Sequence, residues 1–206
     1  LALNECKHNH FKKVVQMVTY APYFISTVVM VSIITQFLHV RTGLINNVLR
    51  LVGLPVQDFM GNPDAFRSIY VWSGVWQGAG YSAVIYLAAL AGIDPSLQEA
   101  AIIDGANRFQ RVYHVDMPSI MPTIIIQMIL SLGSLLSVGY EKVYLMQKTL
   151  NLSQSEIIST YVYKRGLQDI QYSYSTAVGL FNSVVNLILL CSANAIARRV
   201  NETSLW

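Results

Sequence analysis

Four long stretches of this chain contain no Asp, Glu, Lys or Arg. They run over 14–40, 68–93, 117–140 and 170–197, are 27, 26, 24 and 28 residues long, and hold none of the 25 charged residues. A helix needs about 20 mostly apolar residues to cross the roughly 30 Å hydrocarbon core of a bilayer. Each stretch is therefore predicted to be a transmembrane helix. Barrel strands are not expected, because the apolar runs lack period-two alternation.

The composition agrees with a membrane protein. Of the 206 residues, 53% are hydrophobic and 12% are charged, whereas a soluble domain has about 25% charged residues. The net charge of +3 involves no basic run, so a nucleic-acid partner is not expected. The four histidines show no metal-ligand spacing, so no metal site is expected. The sequence predicts one all-α membrane domain over 1–206.

Charge does not orient the four spans. Both termini and the segment 94–116 would lie on one side of the membrane, and the segments 41–67 and 141–169 on the other. Lys and Arg normally accumulate on the cytoplasmic side, but seven lie on each side here.

The segment 94–116 carries helix signals outside the bilayer. Asp94 is predicted to be an N-cap, with Pro95 at the first helical position and Gly105 as the stop. A second short helix is predicted from Asn107 to about His114, ending before Pro118. From the residues alone, an amphipathic connector lying on the membrane surface is an equal alternative.

A longer pattern covers the same segment. It reads Glu99-Ala100-Ala101-x3-Gly105-x9-Val115-x-Met117-Pro118. This resembles the EAA loop of binding-protein-dependent ABC importer permeases, whose usual ending is Ile-x-Leu-Pro. Val115 and Met117 depart from that ending conservatively.

The resemblance runs along essentially the whole chain and is strongest to the polysaccharide and oligosaccharide permeases of the maltose-transporter type. The stretches that carry it are 43–47 (GLINN), 85–90 (IYLAAL), 160–163 (TYVY), 172–181 (YSYSTAVGLF) and the C-terminal 202–206 (ETSLW). Such permeases have six spans, so the resemblance implies a type I ABC importer transmembrane domain of which four helices are seen, with two more before Leu1.

The resemblance also implies a function and partners. The chain would be a non-enzymatic permease subunit in a bacterial cytoplasmic membrane, with its termini and the segment 94–116 cytoplasmic. Its partners would be ABC ATPase subunits, a second homologous permease, an extracytoplasmic sugar-binding protein and the lipid bilayer. The chain would bind no cofactor, and ATP-Mg would lie on the ATPase; consistently, no Gly-x4-Gly-Lys-[Ser/Thr] stretch occurs. The residues implied in ATPase coupling are Glu99, Ala100, Ala101, Asp104, Gly105 and Pro118.

Polar and aromatic residues inside the spans are candidates for a sugar pathway, because sugars need flat apolar surfaces together with amide and hydroxyl groups. Gln77, Gly78 and Tyr81 lie in a stretch that resembles part of the sugar pocket of maltose-type permeases. The further candidates are Ser131, Ser134, Asn182 and Asn186. For each of these residues, the alternative to a role in sugar binding is an interhelical hydrogen bond or an interfacial anchor. Separately, the spacing of Gly74 and Gly78 predicts a close contact with another helix.

Three other functions are weighed against the sugar importer. One is an ABC importer permease for a non-sugar solute such as an amino acid, peptide or phosphonate, which the sugar-type stretches disfavour. Another is an ion-gradient-driven secondary transporter, which normally needs intramembrane carboxylates or broken helices that bind the coupling ion. The four stretches contain no carboxylate. The third is a membrane-embedded enzyme. It would need a catalytic constellation at membrane depth, where only His39 lies, at the edge of a stretch.

Overall fold

The computed structural model describes residues 8–136 and 139–201, and within these residues it contains helices and connecting turns but no strand. The predicted similarity at 202–206 falls outside these residues. The α-helices are α1 (Asn9–Tyr20), α2 (Thr27–Phe37), α3 (Leu44–Leu51), α4 (Pro63–Ala91), α5 (Pro95–Ile103), α6 (Arg108–Arg111), α7 (Met117–Gly133), α8 (Tyr140–Met146), α9 (Leu152–Ser155), α10 (Ile158–Tyr163) and α11 (Tyr172–Asn201). Short 3₁₀ turns lie at Ala21–Phe24 and Thr149–Asn151, and π-helical turns at Val112–Asp116 and Lys164–Gln168.

Two continuous helical segments of the described chain are long and apolar enough to cross a membrane, Arg108–Gly133 and Tyr172–Arg199. Two pairs of helices, each pair separated by a short break, pass the same test when the pair is treated as one segment. They are His10–Phe24 with Thr27–Phe37, and Pro63–Ala91 with Pro95–Ile103. The number of possible membrane spans in the described chain reaches four when each pair counts as one span. Four spans therefore stay a prediction.

The first charge-free stretch is not one helix, so the prediction of a continuous helix over 14–40 is wrong. α1 ends at Tyr20, the turn Ala21–Phe24 contains Pro22, and α2 begins after Ser26. Pro22 has no N–H to continue the helical ladder, and the Ser26 hydroxyl accepts from the Val29 N–H at 3.4 Å as an N-cap. Apolarity alone did not indicate this break.

The third charge-free stretch also differs from its prediction. α7 ends at Gly133 rather than near residue 140, with Ser134 as its C-cap. Small and hydroxyl-bearing residues at this end favour a helix stop, because glycine has a low helix propensity and serine hydroxyls compete for backbone carbonyls. The second and fourth stretches match α4 and α11 more closely.

Contacts divide the chain into two compact units. The first unit comprises Leu1–Ala21, Ala79–Ser134 and Asn186–Trp206, and its apolar core contains Ile125 and Ile129 of α7 packed with Ala197 of α11. The second unit comprises Pro22–Gly78 and Leu135–Val185. Its core joins α2, the beginning of α4 and α8 through Val31, Met60, Phe66, Val143 and Met146.

The close helix contact of α4 lies at a different glycine from the predicted pair. A Cβ on Gly80 would overlap the backbone carbonyl of Thr19 in α1, so α1 approaches α4 there at a distance that a side chain would prevent. Gly78 has open space around it, and Gly74 is close only to the end of a lysine side chain. The predicted packing role of Gly74 and Gly78 is therefore wrong for the helix contacts described here.

Candidate coupling surface and translocation path

Local capping chemistry sets both ends of α5. At its start the Asp94 carboxylate accepts from the Ser96 N–H at 2.9 Å, and Pro95 occupies the first helical position. At its end Gly105 has φ +77°, a left-handed conformation that glycine adopts without strain. The Ala106 N–H reaches the Ala101 carbonyl at 2.9 Å and the Gly105 N–H reaches the Ile102 carbonyl at 3.0 Å, which is a Schellman cap. The predicted cap and stop are both confirmed.

The helix after Gly105 does not end before Pro118, so that part of the prediction is wrong. Asn107 and Gln110 form a reciprocal capping box at the start of α6. The chain then passes through the π-helical turn Val112–Asp116 directly into α7. Proline disturbs a regular α-helix because it lacks an N–H and its ring meets the carbonyl four residues earlier. The wider π-turn lies immediately before Pro118, where proline interrupts the regular α-helical ladder.

Side-chain hydrogen bonds tie α5 to this π-turn. Gln98 donates from Nε2 to Oδ1 of Asp116 at 2.6 Å, and Arg111 donates from Nη1 to Oε1 of Gln98 at 3.4 Å. Asp116 is only 1% exposed. α5 is therefore fixed to the base of α7 through a buried carboxylate, and the two elements are expected to move together.

Several residues of α5, of α6 and of the turns beside them are highly exposed, although many of their side chains are large and apolar. Glu99, Ala100, Asp104 and Gly105 are exposed and Ala101 is half-buried. Large apolar side chains surround them, and the most exposed are Ile103 at 85% and Phe109 at 88%. The others are Leu97, Ile102 and Tyr113. We call Glu99, Ala100, Ile103, Asp104 and Phe109 the coupling face. Such a patch of apolar groups with two carboxylates, Glu99 and Asp104, is typical of a protein-binding surface.

A shallow cleft of about 320 Å³ lies beside the coupling face. Its walls come from the end of α5 and from α6 with its π-turn, and include Ala101, Asp104, Gly105, Arg111 and His114. Three of the predicted residues, Ala101, Asp104 and Gly105, line this cleft, whereas Glu99 and Ala100 lie at exposed positions of α5 outside it. Pro118 lies on α7.

The predicted pathway residues belong to both units. In the second unit, Gln77 donates from Nε2 to the Ile25 carbonyl at 2.9 Å, which satisfies a backbone group freed by the break before α2. Gly78 lies next to it on α4, and the buried Oδ1 of Asn182 accepts no hydrogen bond from the described residues. In the first unit Tyr81 is exposed, and Asn186 lies on α11.

The two serine candidates bond within their own helix. Ser131 donates to the Gln127 carbonyl at 2.8 Å, and Ser134 to the Ser131 carbonyl at 3.1 Å. Both hydroxyls can still accept a hydrogen bond. That the seven residues line one pathway stays a prediction.

Sequence reasoning assigned no site role to any residue of 141–169. In and beside this segment the structure shows a cluster of aromatic rings. Tyr140, Tyr144 and Tyr163 lie with ring centroids 5.0 to 5.6 Å apart. A cleft of about 360 Å³ adjoins them, lined in part by Tyr172, Ser175 and Thr176. The TYVY and YSYST stretches are the sequence signal from which this aromatic cluster could have been predicted. Lys142, in the same segment, was counted only as one charge among seven.

The sequence matches the family described as the binding-protein-dependent transport system inner membrane component over residues 7–202. The chain belongs to this family. It is therefore an inner-membrane component, and its helices fit the multi-pass transmembrane domain of a type I ABC importer.

Two relatives from Bacillus subtilis (strain 168) cover this whole chain. The chain is 44% identical over 207 residues to Protein LplB, and 42% identical over 206 residues to the polygalacturonan/rhamnogalacturonan transport system permease protein YteP. It spans only 65% and 64% of the lengths of these proteins.

Solved structures of a bacterial ABC transporter are also similar. One is the alginate transporter in complex with an alginate pentasaccharide-bound periplasmic protein. It superposes with a TM-score of 0.95 at 38% identity, covering 99% of this chain and 71% of that chain. A second structure, of a transporter involved in the import of the acidic polysaccharide alginate, gives 0.94 at 38% identity, covering 97% and 70%.

Proposed function

We propose that this chain forms part of the permease subunit of an ATP-driven importer for oligosaccharides in the cytoplasmic membrane of a bacterium. A solute-binding protein would deliver the cargo on the outer side, and a second homologous permease would complete the pathway. ATP-Mg would bind to separate ATPase subunits, and this chain would hold no cofactor. The membership of the family and the alginate complex with its periplasmic protein support this proposal.

The observation that carries the proposal is the coupling face on a rigid, doubly capped α5. In the cytoplasmic orientation, α5 would lie in a groove of an ATPase subunit, with Glu99 facing a basic or polar group there. Ala100 would allow close approach, and exposed Ile103 and Phe109 would lose their contact with water. Because Gln98 fixes α5 to Asp116, closure of the ATPase pair would move α7 as well.

The names of two relatives support a proposal about the cargo. YteP is named for polygalacturonan and rhamnogalacturonan, and the similar solved transporter imports the acidic polysaccharide alginate. We propose accordingly that the cargo is an oligosaccharide that carries carboxylates. Within the second unit, the amide side chains of Gln77 on α4 and Asn182 on α11 are of the type that suits the neutral part of such a sugar.

The test is reconstitution of the full-length protein with the second permease, the ATPase and the binding protein encoded beside it. Binding protein loaded with oligosaccharide is expected to stimulate ATP hydrolysis and to drive uptake into proteoliposomes. Glu99→Lys is expected to abolish the stimulation, while Asp64→Lys, a charge reversal at the exposed start of α4, is expected to retain it. Undiminished uptake by cells that lack the ATPase would refute the proposal.

A further inference from the structure

Lys142 is a buried ammonium group without a carboxylate partner in the described residues. Its side chain lies on α8 and is 8% exposed, and no ion pair joins it to Asp or Glu there. Nζ donates to the Tyr70 carbonyl at 3.2 Å and lies 5.0 Å from the centroid of the Tyr70 ring. Burial lowers the pKa of Lys142. A buried charge of this kind is costly to retain unless an anion compensates it.

At Gly74 and Gly78, the surface of α4 beside the Lys142 ammonium carries no side chains. Tyr70, Gly74 and Gly78 are spaced four residues apart and so share one face of α4. A Cβ on Gly74 would lie 3.4 Å from Nζ of Lys142, and a Cβ on Gly78 would meet nothing within 4 Å. The two glycines therefore leave room next to the ammonium. A helix rises about 6 Å over four residues, so a ligand beside Gly78 lies within reach of Lys142.

We propose that Lys142 binds a carboxylate of the oligosaccharide passing along Gly74 and Gly78, and so selects acidic over neutral cargo. This rests on the proposed function, to which it adds a residue that determines specificity. Between transport events the Tyr70 carbonyl and ring hold the ammonium. Because neither is an anion, the positive charge remains available to a carboxylate that enters.

The same geometry explains why a neutral sugar would bind less well. An ammonium has three N–H donors and is strongly hydrated. A hydroxyl that displaces water from Nζ leaves the charge uncompensated, whereas a carboxylate forms a charge-assisted hydrogen bond and an ion pair. A single added charge pair at a partly dry site is expected to change affinity about tenfold, which corresponds to roughly 1.4 kcal/mol.

The experiment measures equilibrium binding of trigalacturonate, and of the same trimer with its carboxyl groups reduced to alcohols. The complete permease–ATPase complex is placed in phosphatidylcholine nanodiscs without binding protein, so that neither the binding protein's own preference nor an anionic lipid contributes. Wild type is expected to bind trigalacturonate about tenfold more tightly than the reduced trimer. Lys142→Met is expected to lose this preference by weakening trigalacturonate binding only, and Lys142→Arg to retain most of it.

Two further variants complete the experiment. Lys148→Met, at an exposed lysine of the same segment, is the matched control and is expected to bind both trimers like wild type. Gly74→Ala keeps Lys142 but places a methyl group beside Nζ, and is expected to weaken trigalacturonate binding several-fold. Because alanine suits a helix better than glycine, this variant tests the proposal even if Lys142→Met does not assemble.

The outcomes separate this inference from the proposed function. Equal binding of both trimers by wild type, or a preference unchanged in Lys142→Met and Gly74→Ala, would overturn the role of Lys142. A wild-type complex that takes up no oligosaccharide with ATP and loaded binding protein would instead overturn the proposed function, and the inference with it.

Discussion

Gly105 and Gly53 share one backbone conformation in two different parts of the molecule. Both have φ +77°, and a Cβ on either would meet nothing within 4 Å. Alanine at either position therefore bears only the cost of a left-handed residue, roughly 1–2 kcal/mol. Gly105 closes α5 with a Schellman cap beside the coupling face, whereas Gly53 follows α3 in the second unit. A comparison of alanine substitutions at the two glycines therefore distinguishes a loss of stability from a loss of coupling to the ATPase.

Gly105→Ala is expected to reduce the stimulation of ATP hydrolysis by loaded binding protein several-fold, because a left-handed alanine weakens the cap that fixes the end of α5. Gly53→Ala is expected to lower the melting temperature of the complex to a similar extent and to leave the stimulation unchanged. The measurement is ATPase activity with and without loaded binding protein, together with thermal melting. Equal stimulation in both variants would remove Gly105 from the coupling mechanism.

Asp94 gives the start of α5 a dependence on pH. Hydrogen bonds from the Ser96 N–H and then the Ser96 hydroxyl hold the pKa of Asp94 below its ordinary value of 3.8. A carboxylate with a lowered folded-state pKa contributes its stabilisation in full above the unfolded pKa, and loses it as the pH falls through the folded value. The cap is therefore complete at neutral pH and is lost below about pH 4.

Hydrogen exchange of the α5 amides measures this loss. Protection of the first turn, corrected for intrinsic exchange rates, is expected to fall as the pH is lowered through this range. Asp94→Asn caps a helix without ionising, so its protection should not change with pH over the same range. A wild-type profile as flat as that of Asp94→Asn would show that the carboxylate does not stabilise α5.

At the scale of elements, the connection of α5 to α7 matters more than either helix alone. Gln98 bridges Arg111 and buried Asp116, so the π-turn and α5 form one body. Gln98→Met keeps the length of the side chain and removes both hydrogen bonds. Loss of a hydrogen bond to a buried carboxylate costs about 1–3 kcal/mol.

Gln98→Met is expected to retain assembly with the ATPase while uptake per ATP hydrolysed falls, because α5 can then move without α7. Gln171→Met changes an exposed glutamine before α11 in the same way and is expected to keep the wild-type ratio. The ratio is measured in proteoliposomes from the initial rates of uptake and hydrolysis. An unchanged ratio in Gln98→Met would mean that this connection does not transmit the movement.

Local signals explain which elements could be predicted from the sequence. Asp94 and Gly105 act through hydrogen bonds within five residues, and Pro95 acts through its fixed φ, so the bounds of α5 followed from residue types alone. The break at Ala21–Phe24 also depends on the distant amide of Gln77, which bonds to the Ile25 carbonyl. The π-turn before Pro118 replaces an expected helix end by a small change in winding, which no hydrophobic pattern shows.

The two parts of the candidate site, the coupling face and the surroundings of Lys142, also differ in how far the sequence could predict them. The residues of the coupling face lie close together in sequence, so a spaced motif could single out this segment, and its role in coupling stays a prediction. Lys142 acquires its environment only when α8 packs against α2 and its side chain reaches Tyr70, 72 residues earlier in the chain. A lysine two residues beyond a charge-free stretch is otherwise typical of a solvated helix end, and its burial could not be predicted.

For the whole molecule, exposed apolar surface is the dominant feature. None of the apolar window of Tyr172–Arg199 is buried within the chain, and exposed Phe181 and Leu187 lie along it. Such surface requires lipid or partner subunits to cover it. The two units are therefore expected to be stable only within a bilayer and an assembled transporter.

The central claim is that the coupling face lies in the cytoplasm and contacts an ATPase. Ile103 of α5 is 85% exposed and Leu51 of α3 is 86% exposed, so cysteines at the two positions are equally accessible in the chain itself. In a background without Cys6 and Cys191, each variant is treated in membranes with a short bifunctional thiol cross-linker in the presence of the ATPase. Ile103→Cys is expected to cross-link to the ATPase and to resist a membrane-impermeant maleimide in intact cells, whereas Leu51→Cys should react with the maleimide and form no such cross-link. Labelling of Ile103→Cys from outside, or no ATPase cross-link from it, would contradict the claim.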